Sequence, residues 1–501
     1  MTDSSYQKTG CPLDRRQFLT RFGMAGGATL FSNSAFSHFA PEGVLTPSPL
    51  PGDGTVKPRI HVAFSRRLDD YSDWMSSPGA AYDPVASQMA YTEVLEKAAA
   101  RLGLHLHFRA KPLRDQECVN QFLREVKANQ ADSALIVVMQ SRSHGWDQVD
   151  RFLQGRDQHF PAIVYAPRGT YFRTSHLRRY QDTPRFFLGA TPDIQWLETG
   201  LRTLKALWQM EHTKLAVVGG DREYEEKLKP TGLTLRHLPL NCYVEAFRAT
   251  QGMAVAETIA REYMDKVQEI VEPTADDMIE SARTYLASRR IMEEYGCHAL
   301  TLDCLSLVRN PDTPTCPPPC LAFSRLLNER TCGCCERDTN AGLLLLLSSY
   351  LLDKPGFMHN ATPFTVRNTY GGTHCTAPTL MSGFDGDEDA YQLRSHAESN
   401  VGVAPQVMLR ENHPCTLMQF IRPDRLRLAT GVILKSIVTQ PGSGVGGCRT
   451  GMEMAMDDVD NVLDITEDRH NVLVYGRHLH EIRAWGRLAG VQVEHFTKGV
   501  L

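Results

Sequence analysis

The sequence predicts an α/β protein with two N-terminal doubly wound parallel-sheet domains and a β-rich C-terminal domain. Three observations predict this class. Between residues 59 and 240, short apolar runs alternate with helical patterns, as in parallel sheets. Residues 362–434 have the pattern of successive β-strands instead. Residues 470–493 follow as strand, glycine, helix and strand.

The strands of the first half are predicted from continuous apolar runs, which are typical of strands buried on both faces of a sheet. These predicted strands are 60–64, 104–108, 134–139, 162–166, 186–190 and 215–219. Helical periodicity occupies 85–102, which ends before Gly103, and 194–210. Thr274, with Asp277 three residues later, predicts the N-cap of a long helix that ends near Tyr295.

The second half continues with a predicted strand, two helices and then β-structure. The strand is 299–303, and the helices are 321–328 and 339–352. The predicted β-strands that follow are 406–409, 415–421 and 425–434. We therefore divide the chain into four parts: 1–40 as an export signal, 55–170 and 171–360 as α/β domains, and 361–501 as the C-terminal domain.

Composition excludes several functional classes. The chain has 501 residues, 42% of them hydrophobic, which is enough for about three domains. Lys+Arg 54 against Asp+Glu 58 gives a net charge of −4, so no basic surface for nucleic acid is predicted. No apolar run approaches the roughly 18–20 residues of a membrane span. We expect a globular protein that acts on a small molecule.

The N-terminus has the form of a twin-arginine export signal. Arg15 and Arg16 are followed by Gln17-Phe18-Leu19 and a weakly apolar segment at 22–31. This predicts transport by the twin-arginine translocation machinery to the periplasm or beyond, in a bacterium. A surface helix with two arginines is the alternative, and cleavage of the leader is left open.

The chain contains 13 cysteines, and seven of them lie between positions 297 and 335. Three interpretations stay open: buried free thiols, at least one disulfide, and a structural zinc site. The spacing matches no common zinc motif, which has two separated C-x2-C pairs. In an exported protein, disulfides are chemically permitted.

Three stretches of the second half carry a resemblance to a known family. They are 319–338, which ends in Cys-Glu-Arg-Asp; 354–360, Lys-Pro-Gly-Phe-Met-His-Asn; and 469–476, Arg-His-Asn-Val-Leu-Val-Tyr-Gly. Residues 290–500 thereby resemble the catalytic portion of the L-fucose isomerase and L-arabinose isomerase superfamily. The resemblance implies an L-fucose isomerase-like fold, with a β-barrel-like segment in the C-terminal domain. It also implies a homo-oligomer, trimeric or hexameric, with sites near subunit contacts.

The resemblance further implies a divalent cation such as Mn²⁺, held by Glu336, Asn360 and His470. The family has an acidic residue where this chain has Asn360. An asparagine oxygen can still bind a hard cation, but the site loses one negative charge and a group that can carry a proton.

Aldose–ketose isomerisation explains why these residue types matter. It removes a proton beside a carbonyl and passes through an ene-diol, so it needs a base, an acid and an electrophile. Glu336 is the expected base, with Asp303 and His359 as candidates for a second proton carrier. The residues that we expect to bind substrate are His374, which is also a candidate ligand, Arg337 and Asp338.

Other functions and structural roles are also possible. Glu336 can be a helix-start charge, and His470 a hydrogen-bonded core histidine. The scaffold can also serve an extracytoplasmic glycoside hydrolase or lyase, or a non-catalytic sugar-binding protein. A hydrolase requires a carboxylate pair, such as Glu336 with Asp303 or Asp338. In each case the expected ligand is a monosaccharide or small glycoside.

Overall fold

The computed structural model defines most of the chain after the leader. It describes residues 50–51, 56–67, 83–141, 145–167, 170, 177–309, 316–438, 447–467, 469–497 and 499–500. The predicted twin-arginine signal lies outside these residues. Within them, no helix is long and apolar enough to cross a membrane.

The first sheet confirms the predicted parallel strands. Its members are β1 (Arg59–Ser65), β2 (His105–Phe108), β3 (Ser133–Val138), β4 (Ala162–Ala166) and β5 (Phe186–Ala190). All are parallel, in the order β2–β1–β3–β4–β5, which is a doubly wound arrangement. The helices between them are α1 (Pro84–Leu102), α2 (Gln116–Ala128) and α3 (Trp146–Gly155). The strand β5 belongs to this sheet, although the sequence division assigns its residues to 171–360.

The second sheet follows the helix α4 (Trp196–His212). Its strands are β6 (Lys214–Val218), β7 (Tyr224–Lys227), β8 (Thr234–Leu238), β9 (Ala299–Leu302) and β10 (Gly333–Cys334). Their order is β10–β9–β6–β8–β7, and only β7 is antiparallel to its neighbour.

Six described helices belong to this second unit. They are α5 (Leu240–Arg248), α6 (Ala254–Lys266), α7 (Ala275–Glu294), α8 (Cys304–Arg309), α9 (Cys320–Asn328) and α10 (Thr339–Leu352). The predicted capping box at Thr274 and Asp277 begins α7. The predicted boundaries of α10 match the structure.

The C-terminal region contains a closed six-stranded barrel. Its strands are β11 (Phe357–Phe364), β12 (Thr369–His374), β15 (His413–Arg422), β16 (Arg425–Val438), β17 (Thr450–Met456) and β18 (His470–Tyr475). All neighbours are antiparallel, and pairing of β15 with β16 closes the barrel. Thus the mixed α/β class and the barrel-like segment are confirmed.

Shorter elements complete this region. A separate two-stranded sheet consists of β13 (Tyr391–Arg394) and β14 (Ala404–Val407). A short 3₁₀ helix occupies Val462–Ile465. After β18 come α11 (Leu479–Ala489), β19 (Gln492–His495) and β20 (Gly499–Val500), and β19 pairs with β16 in parallel.

The helix α10 joins the second sheet to the barrel. It is apolar on every side, and its residues from Leu343 to Leu347 are buried. One side contacts α4 and the other contacts β15 and β18. Since a helix that is apolar all round must be buried, the two units share one core around it. The residues just before α10 therefore lie where the sheet meets the barrel.

Candidate functional site

Three side chains from distant parts of the chain converge at this junction. They are Glu336, His374 and His470, and their potential ligand atoms all lie within 4.8 Å of one another. Glu336 Oε1 is 3.3 Å from His374 Nε2, and Glu336 Oε2 is 3.4 Å from His470 Nε2. In the part of the chain that the structure describes, no other group of three His, Cys, Asp or Glu residues has this geometry. We call Glu336, His374 and His470 the triad.

The position of each triad residue follows from the topology. Glu336 comes two residues after the end of β10, at the carboxyl edge of the second sheet, where ligands bind in open α/β sheets. His374 is the last residue of β12, and His470 is the first of β18. Both strands are neighbours of β11. A sheet edge and a barrel rim therefore face each other at the triad.

The backbone at Glu336 is strained. Glu336 and Arg337 have φ of 59° and 56°, in the left-handed region. This conformation costs a non-glycine residue about 1–2 kcal/mol. The Arg337 N–H donates to the carbonyl oxygen of Leu302 at 3.0 Å, which holds the turn against β9. Consecutive strained residues with functional side chains are a feature of binding and catalytic sites.

Asp338 orients His470. The Nδ1–H of His470 donates to Asp338 Oδ2 at 2.9 Å. Asp338 Oδ1 accepts from the backbone N–H groups of Asn340 and Ala341, at 2.9 Å each, and caps α10. Both oxygens are thus occupied within the protein. Asp338 is thus engaged with the start of α10 and with His470, and its role in binding substrate stays a prediction.

Charge is concentrated within the triad. Burial lowers the pKa of His470, but the Asp338 and Glu336 carboxylates outweigh it and raise this pKa to about 9. In turn, His374 and His470 hold the pKa of Glu336 well below its usual range, against the effect of burial. Glu336 is therefore ionised at neutral pH.

The chemistry of the donors indicates that the triad could hold a metal ion. His470 Nε2 is buried and makes no well-aligned hydrogen bond, although Glu336 Oε2 lies 3.4 Å from it, while its Nδ1 is bonded to a carboxylate. This is the usual arrangement of a metal-binding histidine. His374 differs, since its Nδ1 accepts from the Thr376 N–H at 3.1 Å, so the ring proton lies on Nε2. His374 can bind a cation through Nε2 only when the Thr376 contact opens.

Asn360 lies beside the triad. In the barrel register it is directly opposite His470 on one side and Thr373 on the other, and its side chain is exposed. Directly opposed residues of an antiparallel pair point to the same face of the sheet. Asn360 therefore shares a face with His470, and its role as a ligand stays a prediction.

His359 points into the barrel and is fully buried. Its Nδ1–H donates to the carbonyl oxygen of Phe357 at 3.0 Å, and its Nε2 accepts from the Tyr370 hydroxyl at 2.9 Å. Asn471 Nδ2 donates to the same hydroxyl at 2.5 Å. Burial lowers the pKa of His359 to about 3. Both ring nitrogens of His359 are thus hydrogen-bonded inside the barrel and the ring is neutral, and its role as a second proton carrier stays a prediction.

Asp303 and Arg337 lie at the same sheet edge as Glu336. Asp303 follows β9 and accepts from Ser306 N at 3.2 Å and Ser306 Oγ at 2.7 Å. Arg337 is exposed, and its guanidinium lies over Gly219 and Gly220 at the end of β6. A Cβ at Gly219 would be 2.9 Å from Arg337 Cδ and from Asp303 Cβ. The proton-carrier role of Asp303 and the substrate-binding role of Arg337 remain predictions.

Sequence analysis missed three contributors to this site: Gly219, Tyr370 and Thr376. Gly219 had a usable signal, because consecutive glycines after a parallel strand indicate close approach of another group. Tyr370 and Thr376 act through contacts set by the barrel register, for which the local sequence has no signal.

The described cysteines are free thiols. All twelve lack a disulfide partner, and nine of them are buried. None belongs to a cluster with metal-ligand geometry among the described residues. Of the three interpretations, free thiols match the structure, and the zinc site has no support.

No protein-family model matches the sequence, and no curated protein matches it significantly. The interpretation of the triad therefore depends on its geometry and chemistry.

Proposed function

We propose that this protein is an exported, divalent-metal-assisted aldose–ketose isomerase that acts on a free monosaccharide. The observation that carries the proposal is the convergence of Glu336, His374 and His470 within 4.8 Å, at a sheet edge that faces a barrel rim. The L-fucose isomerase-like resemblance of residues 290–500 supports the same chemistry.

In this proposal, Glu336, His470 and the amide oxygen of Asn360 hold the cation, with His374 as a further ligand. A bound cation such as Mn²⁺ would polarise the sugar oxygens that become the ene-diol. Asp338 keeps Nε2 of His470 directed at the site, where a cation would take the place of the ring proton. The site has one negative charge fewer than it would have with an aspartate at position 360.

Proton transfer then falls to side chains around Glu336. Isomerisation needs a base and an acid, so a second proton carrier is required beside Glu336, the expected base. When His374 keeps its Thr376 contact and does not bind the cation, its Nε2–H can donate to a substrate oxygen instead. Asp303, at the same edge, is the candidate to exchange the carbon-bound proton.

The triad is partly open to solvent on the side of Glu336, which supports the predicted homo-oligomer. The Glu336 side chain is 29% exposed. Two surface cavities, of about 420 and 430 Å³, are lined by other residues. We propose that a neighbouring subunit of a trimer or hexamer covers the triad and completes the sugar pocket.

The experiment is a metal-dependence assay on a panel of free aldoses. Full-length protein loaded with Mn²⁺ is incubated with each sugar, and ketose formation is measured with and without EDTA. We expect ketose from at least one sugar, loss of activity with EDTA, and loss in Glu336→Gln. Asn360→Asp is expected to increase activity, because it restores an anionic ligand. Asp385→Asn, at a side chain that is 95% exposed, is the matched control.

Two outcomes contradict the proposal. One is cleavage of a glycoside that survives EDTA, which indicates the hydrolase or lyase alternative. The other is thermal stabilisation by a sugar without turnover of any member of the panel, which indicates a binding protein.

A further inference from the structure

A group of thiols lies directly behind the triad. Cys320 at the start of α9, Cys375 after β12 and Cys448 before β17 pack against one another. Cys375 is the neighbour of His374 in the chain, and Thr376, which fixes the His374 ring, follows it. The site is thus in contact with groups that can be oxidised.

Cys375 and Cys448 are placed for a disulfide. In the pairing of β12 with β17, His374 lies opposite Thr450, so Cys375 and Cys448 both lie just beyond the end of this ladder, offset from each other by one residue. Cys448 packs against the buried cluster that contains Cys375, which is the proximity that a disulfide requires. The two thiols are close enough to interact directly.

The two thiols differ in exposure, and this determines which of them reacts first with an oxidant. Cys448 is partly exposed, whereas Cys375 is 3% exposed. An oxidant from solution therefore reaches Cys448 first and the pair closes from outside. An exported protein would meet such oxidants, since compartments outside the cytoplasm favour disulfides.

We propose that Cys375 and Cys448 form a reversible disulfide beside His374, with a small-molecule disulfide as oxidant. The Cys448 thiolate attacks oxidised glutathione, forms a mixed disulfide and releases one glutathione. The Cys375 thiolate then attacks the Cys448 sulfur and releases the second glutathione. The protein loses two electrons and two protons, and the two released glutathione thiols carry them.

The bond has a consequence for the triad, and this part rests on the proposed function. A cross-link at Cys375 restrains the segment between His374 and Thr376. The Thr376 N–H contact must open before His374 can bind a cation. We therefore expect the oxidised protein to bind Mn²⁺ several-fold more weakly than the reduced protein.

The test begins with mass spectrometry of the folded, full-length protein. After treatment with oxidised glutathione we expect a loss of two hydrogens, a Cys375–Cys448 cross-link in the non-reducing peptide map, and reversal by dithiothreitol. Cys448→Ser should not lose two hydrogens under the same treatment, because it cannot form the cross-link. Cys118→Ser removes another partly exposed thiol, on α2, and should behave as the wild type does.

Unchanged mass, or a cross-link between other cysteines such as Cys304 and Cys335, would overturn the proposed pair. A calorimetric Mn²⁺ titration of both redox forms then tests the coupling, and equal affinities would refute it. Absence of Mn²⁺ binding in both forms would refute the proposed metal site and leave the disulfide standing.

Discussion

Asp338 uses its two carboxylate oxygens for different purposes. One caps α10 through the N–H groups of Asn340 and Ala341, and the other accepts the Nδ1–H of His470. The same side chain thus fixes the start of the helix and the orientation of a triad ring. These two roles can be separated by substitution, because serine also caps helices well.

We predict that Asp338→Ser keeps the fold and weakens the metal site. Serine can accept the cap hydrogen bond, so the free energy of unfolding of the metal-free protein should change by less than about 1 kcal/mol. Without a carboxylate partner, His470 loses its fixed tautomer, and Mn²⁺ affinity should fall about 10–100-fold. Calorimetric titration gives the affinity, and urea unfolding gives the stability.

Asp83→Ser is the control, because Asp83 caps α1 far from the triad. It should leave Mn²⁺ affinity unchanged. Equal affinity in Asp338→Ser and the wild type would show that the Asp338–His470 bond does not position the ring.

At the scale of single residues, the sequence predicted which residues lie close together better than it predicted what each side chain does. Glu336 and His470 were found through the family pattern, and the structure brings them together with His374. The occupied nitrogens of His359 and the two bonds of Asp338 depend on contacts between residues far apart in the chain. Such contacts follow from strand register, which local sequence does not encode.

At the scale of elements, one ion pair ties the small β13–β14 sheet to the second unit. Arg394, at the end of β13, is 1% exposed, and its Nε donates to both Glu272 oxygens at 2.8 and 2.9 Å. The Ser395 N–H also donates to Glu272, at 3.2 Å. Burial raises the pKa of Glu272, but these bonds outweigh it and the net shift is downward.

We predict that Glu272→Gln destabilises the protein in a pH-dependent way. It removes the carboxylate charge that faces the buried Arg394 guanidinium, so we expect a loss of about 2 kcal/mol at pH 7, less than for a fully buried pair because Glu272 is a third exposed. The pKa of Glu272 is lower in the folded state than in the unfolded state, where it is about 4.3. The stability that the ion pair contributes is therefore fully present above the unfolded-state pKa and is lost as the pH falls through the folded-state pKa.

Urea unfolding at pH 7 and at pH 4 checks this expectation. The difference between wild type and variant should shrink at the lower pH. Glu93→Gln, which breaks only an exposed pair with Lys97, should not differ from the wild type. A difference for Glu272→Gln that is the same at both pH values would contradict the assignment.

Elements differed in how well the sequence predicted them. The strands β1, β3, β4 and β6 are buried and mainly apolar, so their existence was evident. The strand β7 was missed because all four of its residues, Tyr-Glu-Glu-Lys, are exposed at the sheet edge. The neighbouring β8 alternates only weakly, as Thr-Leu-Arg-His-Leu, and its pairing with β7 lies outside any local pattern.

At the scale of the whole molecule, the parallel sheets were predicted from the residues, and the barrel from the family resemblance. Closure of the barrel by β15 and β16 could not be read from their sequences, because it depends on the tilt and register of all six strands. The same closure sets the rim on which His374 and His470 stand. The site is therefore a product of the complete fold.

The central claim is that Glu336, His374 and His470 bind one divalent cation. Elemental analysis of full-length protein, purified without added metal, tests it most directly. We expect one Mn²⁺ or similar ion per chain in the wild type, and almost none in Glu336→Gln or His470→Ala, with Asp385→Asn unchanged. A wild-type protein without bound metal, or variants with the same metal content as the wild type, would contradict the claim.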